Sequence, residues 1–350
     1  VSPIICHVNL ARGFRGGERQ TELLMRELAA AGVHQRFVGR RGEPLLERVA
    51  AMPRVTVRAV GGTAFGAFTG ARGADLVHAH ESHAAHGAYL RHRVSGLPYL
   101  ITRRVSNVPG QDPFTRGVYR RAACIASVSA SVASIMAQYA PEVAGRVIHS
   151  ATSELSADPA VVASLRDEMA GRTVIGQIAA LDEKTKGQSY VIQAARELAA
   201  DHPELLFLLV GGGRDEASLK ALAADLDNVR FTGFVTNVGD YLSALDILIL
   251  PSMTEGLGGI MLDAMQFGLP VIATRVGGLP EVVSDRRSGL LVPPRDVPAL
   301  KAAIVALADD PGLRARMGAE GRRIAEGFAP ARMAAQYRDL YRDILGRELT

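Results

Sequence analysis

Along the chain, short apolar runs rich in Ile, Val and Leu alternate with longer segments in which apolar residues recur every third or fourth position. Short runs bounded by turn formers are the pattern of strands buried on both faces, and the longer period is that of helices laid over them. The predicted strands are 3–9, 36–39, 55–59, 75–80, 98–102 and 123–128 in the first half, then 173–179, 205–210, 229–231, 246–250, 270–273 and 290–292 in the second. Regular alternation of this kind predicts βα units on parallel sheets. In the first helix Leu24, Leu28 and Ala31 give the buried stripe, and Gly32 gives the stop. Asp158-Pro159 supplies an N-cap and a first-turn proline for a helix reaching about Met169. Between the two series the polar, small-residue stretch from His149 to Ala157 marks a change of domain. From Pro330 onward, Met333, Tyr337, Leu340, Tyr341 and Ile344 share one helical face. That face must dock on something apolar, and packing it back on the first domain would tie the halves together. The expected class is α/β, with two Rossmann-like doubly wound domains.

Composition bounds this picture. At 350 residues, 48% hydrophobic and 22% charged, the chain is globular and larger than one usual domain, which excludes a disordered, collagen-like or coiled-coil protein. Its longest apolar runs, such as Leu205 to Val210, are far shorter than the roughly 18 residues of a membrane span. Val1 to Asn9 lack the basic segment and long apolar stretch of a signal peptide. Cys6 and Cys124 are the only cysteines, so no disulfide framework is expected and a reducing cytoplasm is favoured. The net charge of +4 is unevenly spread: residues 1–150 carry 19 Arg, no Lys and 9 acidic residues, a net +10, which leaves −6 for the remainder. A basic first half suits an anionic partner, either a phosphorylated acceptor or an anionic membrane surface. Arginine written wherever a solvated cation will do gives the same count. No aromatic-basic RNA-binding pattern accompanies it, so nucleic acid is not expected.

The stretch Pro251-Ser-Met-Thr-Glu255-Gly-Leu-Gly-Gly-Ile-Met-Leu-Asp263 places a glycine-rich turn between a strand and a helix that begins near Gly258. Unpaired N–H groups of Gly258, Gly259 and Ile260 and the positive end of the helix dipole then meet at the C-terminal edge of a parallel sheet, where a phosphate binds. Glu255 and Asp263 would grip different hydroxyls of one extended ligand. Alone, such glycines merely permit close packing. No G-x-G-x-x-G occurs after the first strand or at Gly211-Gly212-Gly213, and no Walker A loop is present, so dinucleotide and P-loop enzymes are not indicated. His78, His80, His83 and His86 have spacings a zinc site could use, yet no cysteine completes one, and sugar-binding imidazoles at an acceptor site are the preferred reading. Asp225-Leu-Asp227 spells D-x-D but falls at a helix end ahead of a strand, on the opposite edge of the sheet.

Taken as a frame, Glu255 to Asp263 resembles the E-x7-E motif of retaining glycosyltransferases of family 4, which have the GT-B architecture. The resemblance runs from Arg15-Gly16-Gly17-Glu18-Arg19-Gln20 to the closing helix and is strongest from Ile175 to Pro294. It implies two Rossmann-like domains facing across a cleft, with a C-terminal helix crossing back. Residues 1–151 with 331–350 would bind the acceptor, and 152–330 the nucleotide-sugar. By the same resemblance Glu255 contacts the donor sugar hydroxyls, and Asp263, one methylene shorter than the usual glutamate, contacts the ribose. Lys186 of the Lys-Gly pair neutralises the departing diphosphate, and Gly233-Phe234 flank the base. The loop Gly16-Gly17 approaches donor phosphates or acceptor. Ala180 stands where the family usually has an arginine, and Arg104 stands near a usual histidine; Arg103 or Arg104 is the expected substitute cation. Glu255, Lys186, Arg104 and His80 are thus the expected catalytic set, and no metal is required. Without a protein nucleophile, the family's proposed route attacks on the face of the leaving group, and domain closure near Ala151 excludes water. The expected function is retaining, metal-independent transfer of a hexose-type sugar to a glycan or lipid-linked acceptor of bacterial envelope polysaccharide or lipopolysaccharide, in the cytoplasm or at the inner membrane face. A nucleotide-sugar 2-epimerase, a glycogen-phosphorylase-like enzyme and a non-catalytic sugar-nucleotide binder are the alternatives.

Overall fold

The computed structural model describes residues 2–350. Its strands are β1 (Ile4–Asn9), β2 (His34–Arg40), β3 (Val55–Val60), β4 (Leu76–Ala79), β5 (Tyr99–Arg103), β6 (Cys124–Ser127), β7 (Gly145–Val147), β8 (Thr173–Ile178), β9 (Leu205–Val210), β10 (Val229–Gly233), β11 (Ile247–Leu250), β12 (Val271–Thr274) and β13 (Gly289–Val292). They build a seven-stranded sheet in the order β3-β2-β1-β4-β5-β6-β7 and a six-stranded sheet in the order β10-β9-β8-β11-β12-β13. Every pairing of these strands is parallel. The apolar runs mark all of them except β7, which is three residues long, exposed, and paired on one side only, with β6. With no buried face, β7 needs no apolar pattern, which is why periodicity does not reveal it.

The chain divides into two units: unit 1 runs to Ser153 and resumes over Phe328–Thr350, and unit 2 is Glu154–Gly327. In unit 1 the helix Gly16–Ala30 buries Leu24 and Leu28, while Ala31 is its C-cap and Gly32 turns the chain with φ of 84°. Its start is fastened by Glu18, whose carboxylate accepts the Arg15 N–H at 3.1 Å. The closing helix Pro330–Leu345 belongs to the same core: Met333, Tyr337, Leu340 and Tyr341 are buried with Ile5, Leu24, Leu28, Leu76 and Leu100. Unit 2 has its own core of Ile175, Phe207, Leu209, Ile247, Ile249 and Ile272 under Ile192 and Ile304. Asp158 caps the helix Pro159–Glu168 by accepting the Ala160 N–H at 2.9 Å.

Where the chain leaves unit 1, its backbone is held by a side chain. The buried amide of Gln20 donates to the Ala151 carbonyl at 2.7 Å and accepts the Ala151 N–H at 2.8 Å. The Thr152 N–H then donates to the carbonyl of Phe328, the residue at which the chain returns, at 2.9 Å. Gln20→Leu would leave two buried backbone groups unpaired. Each such loss costs about 1–3 kcal/mol, so the urea midpoint of this variant should fall by an amount corresponding to on the order of 3 kcal/mol, with far-UV circular dichroism unchanged at zero denaturant.

Candidate active site

In each sheet the first strand in sequence lies in the interior, with β2 or β9 on one side and β4 or β11 on the other. Crossovers leaving in opposite directions open a crevice at the strands' C-terminal ends, between β1 and β4 and between β8 and β11. The candidate residues follow those strands. Gly16 and Gly17 come after β1, His80 after β4, Lys186 after β8, and Glu255 with Gly258 after β11.

In unit 2 the helix Gly259–Gln266 begins behind Gly258, which has φ of 88° and caps no N–H with a side chain. The first-turn amides of Gly259 and Ile260 therefore carry the positive end of the dipole without an intrahelical partner. At Gly258 the φ of 88° favours glycine, and a Cβ there would also have to displace the end of the Leu279 side chain, 2.4 Å away. Before this helix, Glu255 Oε2 accepts from Lys186 Nζ at 2.5 Å and from Ser252 Oγ at 3.4 Å, and its Oε1 accepts the Gly256 N–H at 3.3 Å. Lys186 reaches it because two loops are pressed together. Gly187 has φ of 64°, and a Cβ there would lie 2.4 Å from the Pro251 carbonyl oxygen. The Met253 N–H donates to Thr185 O at 2.9 Å, and Gln177 Nε2 donates to Lys186 O at 2.9 Å. Asp263 lies inside the helix and is buried. Gly233 closes β10 with its carbonyl accepting the Gly211 N–H at 3.0 Å, and Phe234 beyond it is 74% exposed. Phe234 is thus not a core residue, and its open ring face suits a stacking partner.

In unit 1 the histidines do not group as their spacing suggests. His83 lies exposed at a helix start, 3.4 Å from Glu81, and His86 packs against Phe114. The buried group is instead His78 and His80 with His7 of β1, one ring nitrogen of each lying within 4.8 Å of those of the other two. His7 Nδ1 is 3.0 Å from His80 Nε2, and His78 sits between Tyr341 Oη at 2.7 Å and Thr102 Oγ1 at 2.6 Å. Thr102 Oγ1 is in turn 2.8 Å from the Tyr337 hydroxyl, so the closing helix is hydrogen-bonded to the sheet through these rings. Arg104 donates from NH1 to the His80 carbonyl at 3.0 Å and from NH2 to His80 Nδ1 at 3.2 Å. Arg103, expected as a second donor contact, is buried and turned into its own loop, bonding Tyr119 Oη and both oxygens of Asn107. Burial first, then the Arg104 charge, lowers His7 to about 3, and burial lowers His78 and His80 well below the usual imidazole value. All three are neutral at pH 7. A metal held by them would compete with the hydrogen bonds that occupy their lone pairs.

Residues 172–310 match the family model described as Glycosyl transferases group 1. The 2-deoxystreptamine glucosyltransferase of Streptomyces kanamyceticus is 30% identical over 285 residues, covering 73% of this chain and 73% of that one. The chain belongs to the group 1 glycosyl transferases. Another relative, the GDP-mannose-dependent monoacylated alpha-(1-6)-phosphatidylinositol monomannoside mannosyltransferase of Corynebacterium glutamicum, is 40% identical over 151 residues, 40% of this chain and 39% of that one. Anabaena HepE, solved with UDP and glucose, aligns with a TM-score of 0.84 at 18% identity over 97% of this chain and 100% of its own. That likeness is one of fold, two parallel-sheet α/β domains of the GT-B type.

In this glycosyltransferase the fold brings Lys186, Glu255, Gly258, Gly259 and Ile260 to one sheet edge, and Gly17 to Arg104, whose Cδ lies 3.8 Å from where a Gly17 Cβ would stand. Asp225 of the D-x-D lies exposed on Arg196 at 2.8 Å, at the edge where β10 begins. Two residues escape sequence reasoning. His7 lies in an apolar strand without a motif, and Arg214 follows the strand β9 yet bonds Asp182 at 2.6 Å, beside Ala180. Neither has a local signal, since each acts on a segment distant in sequence.

Two outcomes follow from this geometry. Gly187→Ala should disrupt the Lys186–Glu255 contact, because a methyl group collides with Pro251 O and the positive φ adds about 1 kcal/mol of strain; transferase turnover should fall at least about tenfold, a 1.4 kcal/mol effect, while a folded protein is recovered. The three buried imidazoles have folded-state pKa values below their unfolded value of about 6.5, so the unfolded chain binds more protons in acid. Stability is then lost as pH falls through about 6.5, by up to about 2 kcal/mol per histidine between pH 7 and pH 5. Urea titrations at the two pH values measure this, and a flat profile contradicts it.

Proposed function

We propose that this glycosyltransferase moves a hexose-type sugar, with retention of anomeric configuration and without a metal, from a nucleotide diphosphate sugar to a glycan or lipid-linked acceptor of bacterial envelope polysaccharide or lipopolysaccharide. The observation carrying this reading is the 2.5 Å Lys186–Glu255 pair ahead of the uncapped helix Gly259–Gln266. A diphosphate seated on the Gly259 and Ile260 amides competes with Glu255 for Lys186. As the ammonium turns to phosphate, the carboxylate is released to bind donor sugar hydroxyls. Both events stabilise charge that develops on the leaving group, the dominant form of catalysis available to such a site. Lys186 and the amides supply this stabilisation without a metal. Asp263 takes the ribose, and Phe234 with Gly233 takes the base.

Glu255 is held by Lys186 and orients the sugar. In this reading no protein nucleophile takes part: attack comes from the face of the leaving group, and a phosphate oxygen takes the acceptor proton. In unit 1, Arg104 beside Gly17 is the group that receives a phosphoryl anion, with His80 behind it, and this unit binds the acceptor. Arg214, paired with Asp182 two residues beyond Ala180, is a second cation of unit 2. The arginine-rich first half of the chain and the phospholipid named for the Corynebacterium relative support a lipid-linked acceptor at the inner membrane face. The Streptomyces relative, matched over more of the chain, supports a small aminocyclitol acceptor as the second reading.

Thermal stabilisation by a panel of UDP-, GDP- and ADP-sugars should identify the donor, and anomeric couplings in the proton NMR spectrum of the product should show retention. EDTA should leave turnover unchanged. Lys186→Ala should weaken nucleoside diphosphate binding on the order of tenfold or more, the size of one charge-assisted contact. Glu255→Gln should lower kcat by about a hundredfold with nucleoside diphosphate affinity within about threefold, as expected for a group acting on the transferred sugar. An inverted product, or a Glu255→Gln enzyme with full turnover, overturns the reading. Turnover with 2-deoxystreptamine but not with phosphorylated lipid acceptors selects the second acceptor class.

A further inference from the structure

Arg104 is a cation with no carboxylate in contact with it; the Glu18 charge acts on it only from beyond ion-pair distance. No carboxylate lies within 4.0 Å of it among the described residues. Glu18, the acid at the neighbouring helix start, is committed to the Arg15 N–H at 3.1 Å and to Asn9 Nδ2 at 3.4 Å. Arg104 is half-buried, and a guanidinium withdrawn this far from water is normally paired. Here it is gripped by His80 alone, through the carbonyl and Nδ1. Because a guanidinium only donates, His80 Nδ1 must present a lone pair, and the neutral ring carries its proton on Nε2. That proton is donated to His7 Nδ1, 3.0 Å away. His7 in consequence carries its own proton on Nε2, and that nitrogen is buried with no partner. An unpaired buried N–H is costly to a fold, and each one calls for a reason. What the arrangement secures is one tautomer of His80, and with it one orientation of Arg104.

We infer that His7 and His80 are positioning residues, which together hold the Arg104 guanidinium clear of any carboxylate contact and in a single orientation to receive a phosphoryl group at the start of the helix Gly16–Ala30. The inference rests on the reading of Arg104 as the anion-receiving group of unit 1. It assigns a role to His7, a residue no motif marks, and makes the lone pair of His80 Nδ1 the feature that matters. The phosphoryl group belongs either to the donor diphosphate or to a phosphorylated acceptor.

The test uses the full chain and two probes, inorganic pyrophosphate for the donor and glycerol 3-phosphate for a phosphate monoester, with affinities measured by calorimetry. Arg104→Gln should weaken whichever probe is the relevant source about tenfold. His7→Phe, which removes the acceptor for His80 Nε2–H, should weaken the same probe nearly as much. His7→Asn, which returns an oxygen near the Nδ1 position, should stay within about threefold of wild type. Nitrogen-15 NMR should show His80 protonated on Nε2 in wild type and His7→Asn, and mixed tautomers in His7→Phe. If His7→Phe binds like wild type while Arg104→Gln is weakened, the positioning role is wrong and the anion reading stands. If Arg104→Gln binds both probes like wild type, the anion reading fails and the positioning role fails with it. Should His7→Phe not fold, a wild-type His80 protonated on Nδ1 overturns the inference directly.

Discussion

Positive charge held at the C-terminal ends of parallel strands, ahead of any ligand, is the constraint around which this protein is arranged. In unit 2 it takes the form of a lysine and the open end of a helix. The lysine is restrained by a single carboxylate, Glu255. The contact exists because Gly187 lets the loop after β8 close on the carbonyl of Pro251, and because Met253 and Thr185 bond across the two loops. The pair is preorganised and exchangeable. In the proposed reaction, an incoming diphosphate would offer the lysine a better-matched anion as a sugar reaches the carboxylate.

Unit 1 meets the same requirement differently. It has no lysine at its sheet edge, and the guanidinium there is steadied by neutral rings. Burial keeps His7, His78 and His80 uncharged, which keeps their lone pairs available as acceptors. The same rings bond the hydroxyl of Tyr341 and, through Thr102, that of Tyr337. The closing helix is therefore more than an apolar cover. Its two tyrosines complete the polar network that lies directly behind Arg104, so the return of the chain to unit 1 bears on the electrostatics of that sheet edge.

The strands, the caps at Asp158 and Gly32, and the apolar face of the last helix were legible in the sequence, because each depends on neighbours within one turn or one pleat. The one strand that escaped, β7, has no buried face and so no pattern. Lys186, Glu255 and the Gly258 turn were legible as a motif, and their nearness to one another was implied by resemblance. The histidines were misgrouped for an instructive reason: spacing along the chain puts His83 and His86 with His78 and His80, whereas the register of β1 against β4 puts His7 there instead. Arg103 and Arg104, adjacent and identical in type, diverge because one follows the strand into its own loop and the other turns to His80.

By itself the sequence determined the two α/β halves, the start or stop of a few helices, and the motif that joins Lys186, Glu255 and the Gly258 turn. Those follow from local propensity and from periods that any single segment displays. Only the tertiary structure decided which cation meets which acid, that Phe234 is open and Arg103 closed, and that a histidine from the first strand completes the group behind Arg104. These outcomes depend on crossover connections and strand register, which join positions far apart in the chain and leave no trace in the composition of either one.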